Sequence, residues 1–275
     1  MTRIALYQST TGIDPARNAQ GLADAIEKAA AGNAEMLFTP EMTNVLDRDF
    51  SRASKSITAQ EEDQVLAAAR EAAARHHIWV HIGSLAVLLE DGKVANRSFV
   101  IDRDGEIRAT YDKLHLFDVD LPSGESWRES SVYSAGSGAV LVNGTPVGKV
   151  GLTICYDLRF PGLFARLAES DADIIAVPAA FTVLTGEAHW HILLRARAIE
   201  AGLFVVAAAQ VGNHQDGRST FGHSLVVDPW GNVLLDMGDK EGVGFADIDL
   251  KRISDVRSRI PALSHRRIIP EALTL

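Results

Sequence analysis

Three residue types able to work on a carbonyl stand far apart along this chain, each just after a short strand-like run. They are Glu41 after Phe38-Thr39-Pro40, Lys113 after Ala109-Thr110-Tyr111-Asp112, and Cys155 after Leu152-Thr153-Ile154. Cys155 is the one cysteine among 275 residues. A charged, helix-opening segment follows it, Tyr156-Asp157-Leu158-Arg159-Phe160-Pro161, so the thiol is expected where a strand turns into a helix. Amides at a helix start favour an anion, either a thiolate or a developing oxyanion. In parallel α/β sheets the carboxyl ends of strands line the binding crevice. A carboxylate there can take a thiol proton and return it to a leaving amine. A lysine ammonium lowers a thiol pKa and can hold an oxyanion. Singly, each residue has an ordinary alternative: a free cysteine is commonly a small buried hydrophobe, and Glu and Lys at strand ends are commonly solvated.

Patterning predicts the elements that must gather these residues. Residues 4–8 read as a strand. Asp14 then supplies an N-cap, Pro15 the first helical position and Gly32 the C′ position, with Ala19, Leu22, Ala23 and Ile26 as one stripe. A strand at 34–38 leads to Glu41. Thr58 and Glu61 form a capping box before a second helix carrying Val65, Leu66, Ala69, Ala72 and Ala73. Segments 78–89 and 94–102 read as a hairpin, and a turn at 102–105 leads into a strand at 106–111. The stretch 114–138, with Pro122, is irregular, and long loops are often functional. Strands follow at 139–142 and 146–154, then a helix at 161–170. Apolar runs 173–178 and 203–209 have strand length and flank a helix at 186–201; strands at 221–228, 233–236 and 243–249 precede a last helix from about Leu250.

The pattern predicts an α/β protein of one domain over 1–275, with a tail from about 259 and some ten or eleven strands in two sheets. Helix 186–201 is apolar on two sides, Trp190, Leu193 and Leu194 on one and Ile192, Ala196 and Ile199 on the other. One side suits a sheet; the other suits a second subunit.

A formal net charge of −9 with no basic stripe argues against a nucleic-acid partner. One cysteine permits no internal disulfide. The opening residues are too short in apolar character for a signal peptide, and the longest apolar run, 201–209, is far short of the about 20 residues that span a bilayer. A cytoplasmic protein without a membrane partner is the expectation. Nine histidines show no metal-binding spacing: His76 and His77 are adjacent, His189 and His191 point to different helix faces, and His115 and His223 read as hydrogen-bonded core or rim residues. Gly144-Thr145-Pro146-Val147-Gly148-Lys149 falls one residue short of a phosphate-binding loop and precedes a strand.

The segments Phe38-Thr39-Pro40-Glu41, Tyr111-Asp112-Lys113-Leu114-His115-Leu116 and Gly151-Leu152-Thr153-Ile154-Cys155-Tyr156-Asp157-Leu158-Arg159-Phe160-Pro161 resemble, in order and spacing, the three catalytic motifs of the nitrilase superfamily of carbon–nitrogen hydrolases. The resemblance runs from about Ile4 to Arg267. It implies a four-layer α-β-β-α sandwich that dimerises through outer helices, and no metal or organic cofactor. It implies Cys155 as nucleophile, Glu41 as general base, and Lys113 with the Tyr156 backbone N–H as oxyanion donors. A further glutamate that positions substrate and lysine falls on Glu129. The implied chemistry is attack on an amide carbonyl, loss of ammonia, a thioester, then hydrolysis.

Within the superfamily the chain looks most like the branch of deaminated glutathione amidases and ω-amidases. Lys113-Leu114-His115-Leu116-Phe117-Asp118-Val119, Arg128-Glu129-Ser130, Thr185-Gly186-Glu187-Ala188-His189-Trp190 and Gly222-His223-Ser224-Leu225-Val226-Val227-Asp228-Pro229-Trp230-Gly231 carry that likeness, and the runs 194–200 and 205–210 lean toward the deaminated glutathione amidase side. Such enzymes cleave the terminal amide of a small α-keto acid amide. Deaminated glutathione is the first candidate substrate; α-ketoglutaramate, an N-carbamoyl amino acid or a nitrile are alternatives, and a binding protein without catalysis is a remote one. An anionic substrate calls for a guanidinium, for which Arg159 is the candidate against a structural ion pair with Asp157. Phe181 and Thr185, in the loop after 173–178, are candidate pocket walls. Two residues depart from the family pattern: Asp112, where Arg or Lys is commoner, and Thr39, where small apolar residues are frequent. The tail 264–270 also lacks the Pro-Asp-Leu-Tyr ending that the resemblance to this branch implies.

Overall fold

The computed structural model describes residues 1–120, 124 and 126–271; Pro122 and the last four residues of the expected tail lie outside them. The strands are β1 Thr2–Gln8, β2 Met36–Phe38, β3 Trp79–Leu88, β4 Val94–Ile101, β5 Ile107–Asp112, β6 Asp118–Asp120, β7 Ser126–Arg128, β8 Tyr133–Ser134, β9 Val140–Thr145, β10 Gly148–Leu152, β11 Ile174–Ala176, β12 Phe204–Ala207, β13 Val211–Asn213, β14 Ser219–Phe221, β15 Leu225–Val227, β16 Val233–Asp236 and β17 Gly242–Ile248. The helices are α1 Pro15–Ala31, α2 Phe50–Ala53, α3 Gln64–His76, α4 Pro161–Glu169, α5 Val183–Ala201 and α6 Lys251–Arg259.

One sheet runs β17-β1-β2-β3-β4-β5, with β8 on β4; the second runs β16-β15-β12-β11-β10-β9. Period-2 alternation decides which side chain enters which layer. Ile4, Leu6, Met36 and Phe38 face the second sheet, while Ala5 and Leu37 face α1 and α3. Leu22 and Ile26 of α1 and Val65, Leu66 and Ala69 of α3 cover that outer face. Trp190, Leu194 and Ala198 of α5, with Phe164 and Leu167 of α4, cover the second sheet. The result is an α-β-β-α sandwich.

The expected N-cap of α1 holds: the Asp14 carboxylate accepts from Ala16 N, and Pro15 opens the helix. The capping box before α3 does not. Asp63 is the cap, accepting from Val65 N and Leu66 N, and 60–62 form a separate 3₁₀ turn. The expected strand 221–228 is broken at Gly222-His223-Ser224, so that β14 and β15 belong to different sheets. His223 takes a left-handed φ of 54°, which ends the strand there. The stretch 114–138 also holds a small hairpin, β6 against β7.

Two parallel steps aim the site. β1, β2 and β3 are parallel, as are β10, β11 and β12. β4 reverses and β5 reverses again, so β5 ends on the same side as β2. Glu41 and Lys113 therefore leave their sheet at one end. Parallel bridges Ser9–Gln210 and Ala179–Ala209 extend the pairing past the strand ends there.

Candidate active site

Glu41, Lys113, Glu129 and Cys155 meet at the base of a cavity of about 590 Å³. Lys113 Nζ donates to Glu41 Oε1 at 2.9 Å and to Glu129 Oε2 at 2.9 Å. Asn96 Nδ2 donates to both carboxylates, at 3.0 Å to Glu41 and 3.1 Å to Glu129. The second Glu41 oxygen accepts from Ala180 N at 3.0 Å. The Cys155 thiol lines the same cavity as the Glu41 carboxylate and lies near enough for each to shift the other's titration.

Close backbone packing makes room for Glu41. Gly83 lies against Thr39 and Pro40, and a Cβ there would meet the Thr39 carbonyl oxygen at 2.1 Å. The Thr39 hydroxyl accepts from Gly83 N at 2.9 Å, so the departure at Thr39 is a satisfied polar residue. Gln210 Nε2 donates to the Glu41 carbonyl at 2.9 Å. Asp112, the other departure, forms a bidentate pair with Arg97 across the strand at 2.7 and 2.9 Å, which offsets its charge beside Lys113.

Cys155 begins a 3₁₀ turn, Cys155–Arg159, rather than an α-helix. Its φ is 49°, a left-handed conformation that costs about 1–2 kcal/mol for a non-glycine residue. Its N–H donates to Pro178 O at 2.8 Å, and Asp157 Oδ2 accepts from Ile154 N at 2.8 Å, so neighbours on both sides hold the strained turn.

The electrostatics set a resting charge pattern. Burial alone would raise Glu41, but the Lys113 charge and the hydrogen bonds to it hold the carboxyl below its ordinary value. Burial opposes the Lys113 charge, and Glu129 and Glu41 together more than restore it, raising its pKa well above the ordinary value. Burial first, then the Glu41 charge, push the Cys155 thiol well up. This corrects the expectation that the lysine and a helix start would lower the thiol. At neutral pH the cluster holds a carboxylate, an ammonium and a neutral thiol. The arrangement can move a proton from sulfur to Glu41 when an electrophile arrives.

Tyr156, Arg159, Phe181 and Thr185 also line the cavity. Arg159 does not pair with Asp157, whose oxygens serve Tyr111, His115 and Ile154. Its guanidinium lies 5.5 Å from the Phe181 ring centroid and 3.4 Å from His189 Nδ1. Thr185 sits in the first turn of α5, not in the preceding loop, because Thr182 caps that helix at Thr185 N. Asn96 and Asp157 are the residues sequence reasoning missed: one lies inside a strand and the other reads as a helix opener. His115 and His223 are hydrogen-bonded to Asp157 and Asp236, as expected. His191 joins His223 on Asp236, a convergence that spacing along the chain does not show.

A family model described as carbon–nitrogen hydrolase matches residues 3–258. The chain belongs to that family. This carbon–nitrogen hydrolase is 40% identical over 276 residues to a deaminated glutathione amidase of Dictyostelium discoideum, covering 98% of this chain and 94% of that protein. It is 38% identical to a deaminated glutathione amidase of Yersinia enterocolitica, covering 97% and 93%. The crystal structure of the C. elegans NitFhit protein superposes with a TM-score of 0.90 at 38% identity, covering 97% of this chain and 65% of that one. The NitFhit relative is a fusion protein, and the hydrolase spans 60% of its length. Among the described residues no helix is long and apolar enough to cross a membrane.

Proposed function

We propose that this hydrolase is a deaminated glutathione amidase working through a Cys155 thioester. The observation that carries the reading is the buried Glu41–Lys113–Glu129–Cys155 cluster, with Arg159 at the same cavity. Glu41 takes the thiol proton as sulfur attacks the amide carbonyl carbon. Lys113 and the Tyr156 N–H hold the oxyanion that forms. Protonated Glu41 then passes its proton to the leaving nitrogen, the C–N bond breaks, and the acyl group remains on sulfur. Glu41 next removes a proton from water, which attacks the thioester and restores the thiol. Glu129 holds Lys113 in place and touches no reacting atom in this scheme.

In deaminated glutathione the scissile amide joins the acyl group to cysteinylglycine. The leaving group is then that dipeptide, in place of the ammonia expected from the family chemistry. Arg159 binds the carboxylate beside the keto group, a planar match for its guanidinium. Phe181 and Thr185 form the adjoining wall.

A homodimer belongs to the same reading. Trp190 and Leu194 are buried, while Ile192 and Ile199 on the other side of α5 are 70% and 53% exposed. A second copy covers this face. The protein works in the cytoplasm, where its one cysteine stays reduced.

Side-by-side kcat/KM values on deaminated glutathione, α-ketoglutaramate, an N-carbamoyl amino acid and a nitrile test the substrate. Deaminated glutathione is expected to lead by at least about tenfold, the fold-change of one good polar contact. A lead for any other compound overturns the assignment. Light scattering of wild type and Ile199→Asp tests the dimer: a monomeric wild type contradicts it.

A further inference from the structure

The cavity holds a second guanidinium site that the four-residue cluster does not use. Arg218, just before β14, sits with its guanidinium carbon 4.8 Å from the Trp127 ring centroid, and Arg48 stacks on the same ring at 5.4 Å. All three residues line the cavity with Cys155. The Asp216 side chain fixes the patch: it is fully buried, accepts Arg218 Nε at 2.6 Å and accepts the Arg48 backbone N–H at 2.8 Å. Among the described residues, the terminal nitrogens of Arg218 make no hydrogen bond, since Asp216 takes Nε alone. The Trp127 indole N–H is buried and also has no partner among the described residues. Buried donors are normally satisfied, and a donor left open beside a cavity is a place for an acceptor.

A cavity of about 590 Å³ lies mid-range for drug-sized ligands, roughly 300–1,000 Å³, and exceeds what a five-carbon acid amide needs. An ammonia leaving group would give these donors nothing to hold. Resting on the amidase reading above, we infer that Arg218 and the Trp127 indole form a subsite for the carboxylate of a peptide-like leaving amine. Arg48 holds the indole ring in place by stacking. The substrate class is therefore an acyl amide with a carboxylate at each end, one near Arg159 and one at Arg218.

The test compares Arg218→Gln and Arg218→Lys with wild type on three substrates: deaminated glutathione, its glycine carboxamide, and α-ketoglutaramate. Thermal melting confirms that each variant is folded, and Trp127→Phe, which keeps the ring and removes the donor, serves if Arg218→Gln is not. The ratio of kcat/KM on deaminated glutathione to that on α-ketoglutaramate falls by about 10- to 100-fold in Arg218→Gln, mostly through KM, and Lys restores part of it. Wild type loses a similar factor on the carboxamide, and Arg218→Gln adds little to that loss. An unchanged ratio overturns the subsite. Wild-type turnover of α-ketoglutaramate but not deaminated glutathione overturns the subsite and leaves an amidase; turnover of none of the three overturns the amidase reading itself.

Discussion

The Asp157 carboxylate accepts the Tyr111 hydroxyl at 2.7 Å, and its other oxygen accepts the His115 backbone N–H at 3.0 Å. Tyr111 lies two residues before Lys113, and Asp157 two residues after Cys155. One fully buried carboxylate thus ties the lysine segment of the first sheet to the cysteine turn of the second. Burial first, then the Asp157 charge, keep the Tyr111 hydroxyl protonated, so it remains a donor. Tyr111→Phe removes a buried hydrogen bond to a charged acceptor. It is expected to cost about 1.5–3 kcal/mol of stability and about tenfold in kcat, with KM little changed. Urea unfolding and initial rates check both; unchanged values for both contradict the tie.

The thiol and its base make opposite demands on one substitution. In wild type the iodoacetamide alkylation rate of Cys155 rises about tenfold per pH unit past pH 9, because burial and the Glu41 charge hold the thiol up. Glu41→Gln removes that negative charge, so its alkylation curve moves to lower pH. Turnover falls by about 10² or more at the same time, since the proton acceptor is gone. A wild-type plateau below pH 8 contradicts the charge assignment.

Asn96 tests the shared hydrogen bonding of the two glutamates. Its amide helps keep Glu41 ionised, so Asn96→Leu removes a donor to the charged form and raises the Glu41 pKa. Activity requires the carboxylate and is lost below its pKa. The acid limb of the kcat/KM profile therefore moves to higher pH in Asn96→Leu. A limb that stays in place while kcat falls would assign Asn96 to packing alone.

His81 makes the fold acid-sensitive. It is fully buried between the sheets, 5.6 Å from the Phe38 ring, with both ring nitrogens lacking partners among the described residues. Burial pushes its pKa down to about 3. The unfolded chain binds the proton near pH 6.5 and the folded chain does not, so this contribution to stability is complete above about pH 6.5 and falls by about 1.4 kcal/mol per unit below it. His81→Leu flattens that fall. Urea midpoints at pH 7.5, 6 and 5 for both proteins decide it; parallel pH dependences rule it out.

The two large sheets and the strand ends that carry Glu41, Lys113 and Cys155 were readable because alternation and helical stripes are local signals. The described residues hold seventeen strands where ten or eleven were expected, because short pieces such as β6-β7 and β13-β14 pair as two further sheets inside stretches read as loop or as part of a longer strand. Glu129 came only through family resemblance, since nothing in a loop sequence shows where its carboxylate turns. Asn96 and Asp157 were hidden because their partners lie 55 and 46 residues away, at Glu41 and Tyr111. Burial reversed the thiol's shift: a nearby lysine lowers a pKa in water, but desolvation and the Glu41 charge outweigh it here. The α3 cap moved from Thr58 to Asp63 because a carboxylate directly before the helix can accept from two of its first N–H groups.

The central question for this hydrolase is whether the Cys155 sulfur carries the acyl group. Rapid-quench intact-mass spectrometry of wild type, Glu41→Gln and Cys155→Ala mixed with deaminated glutathione measures it, with peptide mapping of any adduct. The predicted result is a transient acyl adduct on the Cys155 peptide in wild type and neither adduct nor product in Cys155→Ala. Amide hydrolysis by Cys155→Ala at the wild-type rate would contradict it.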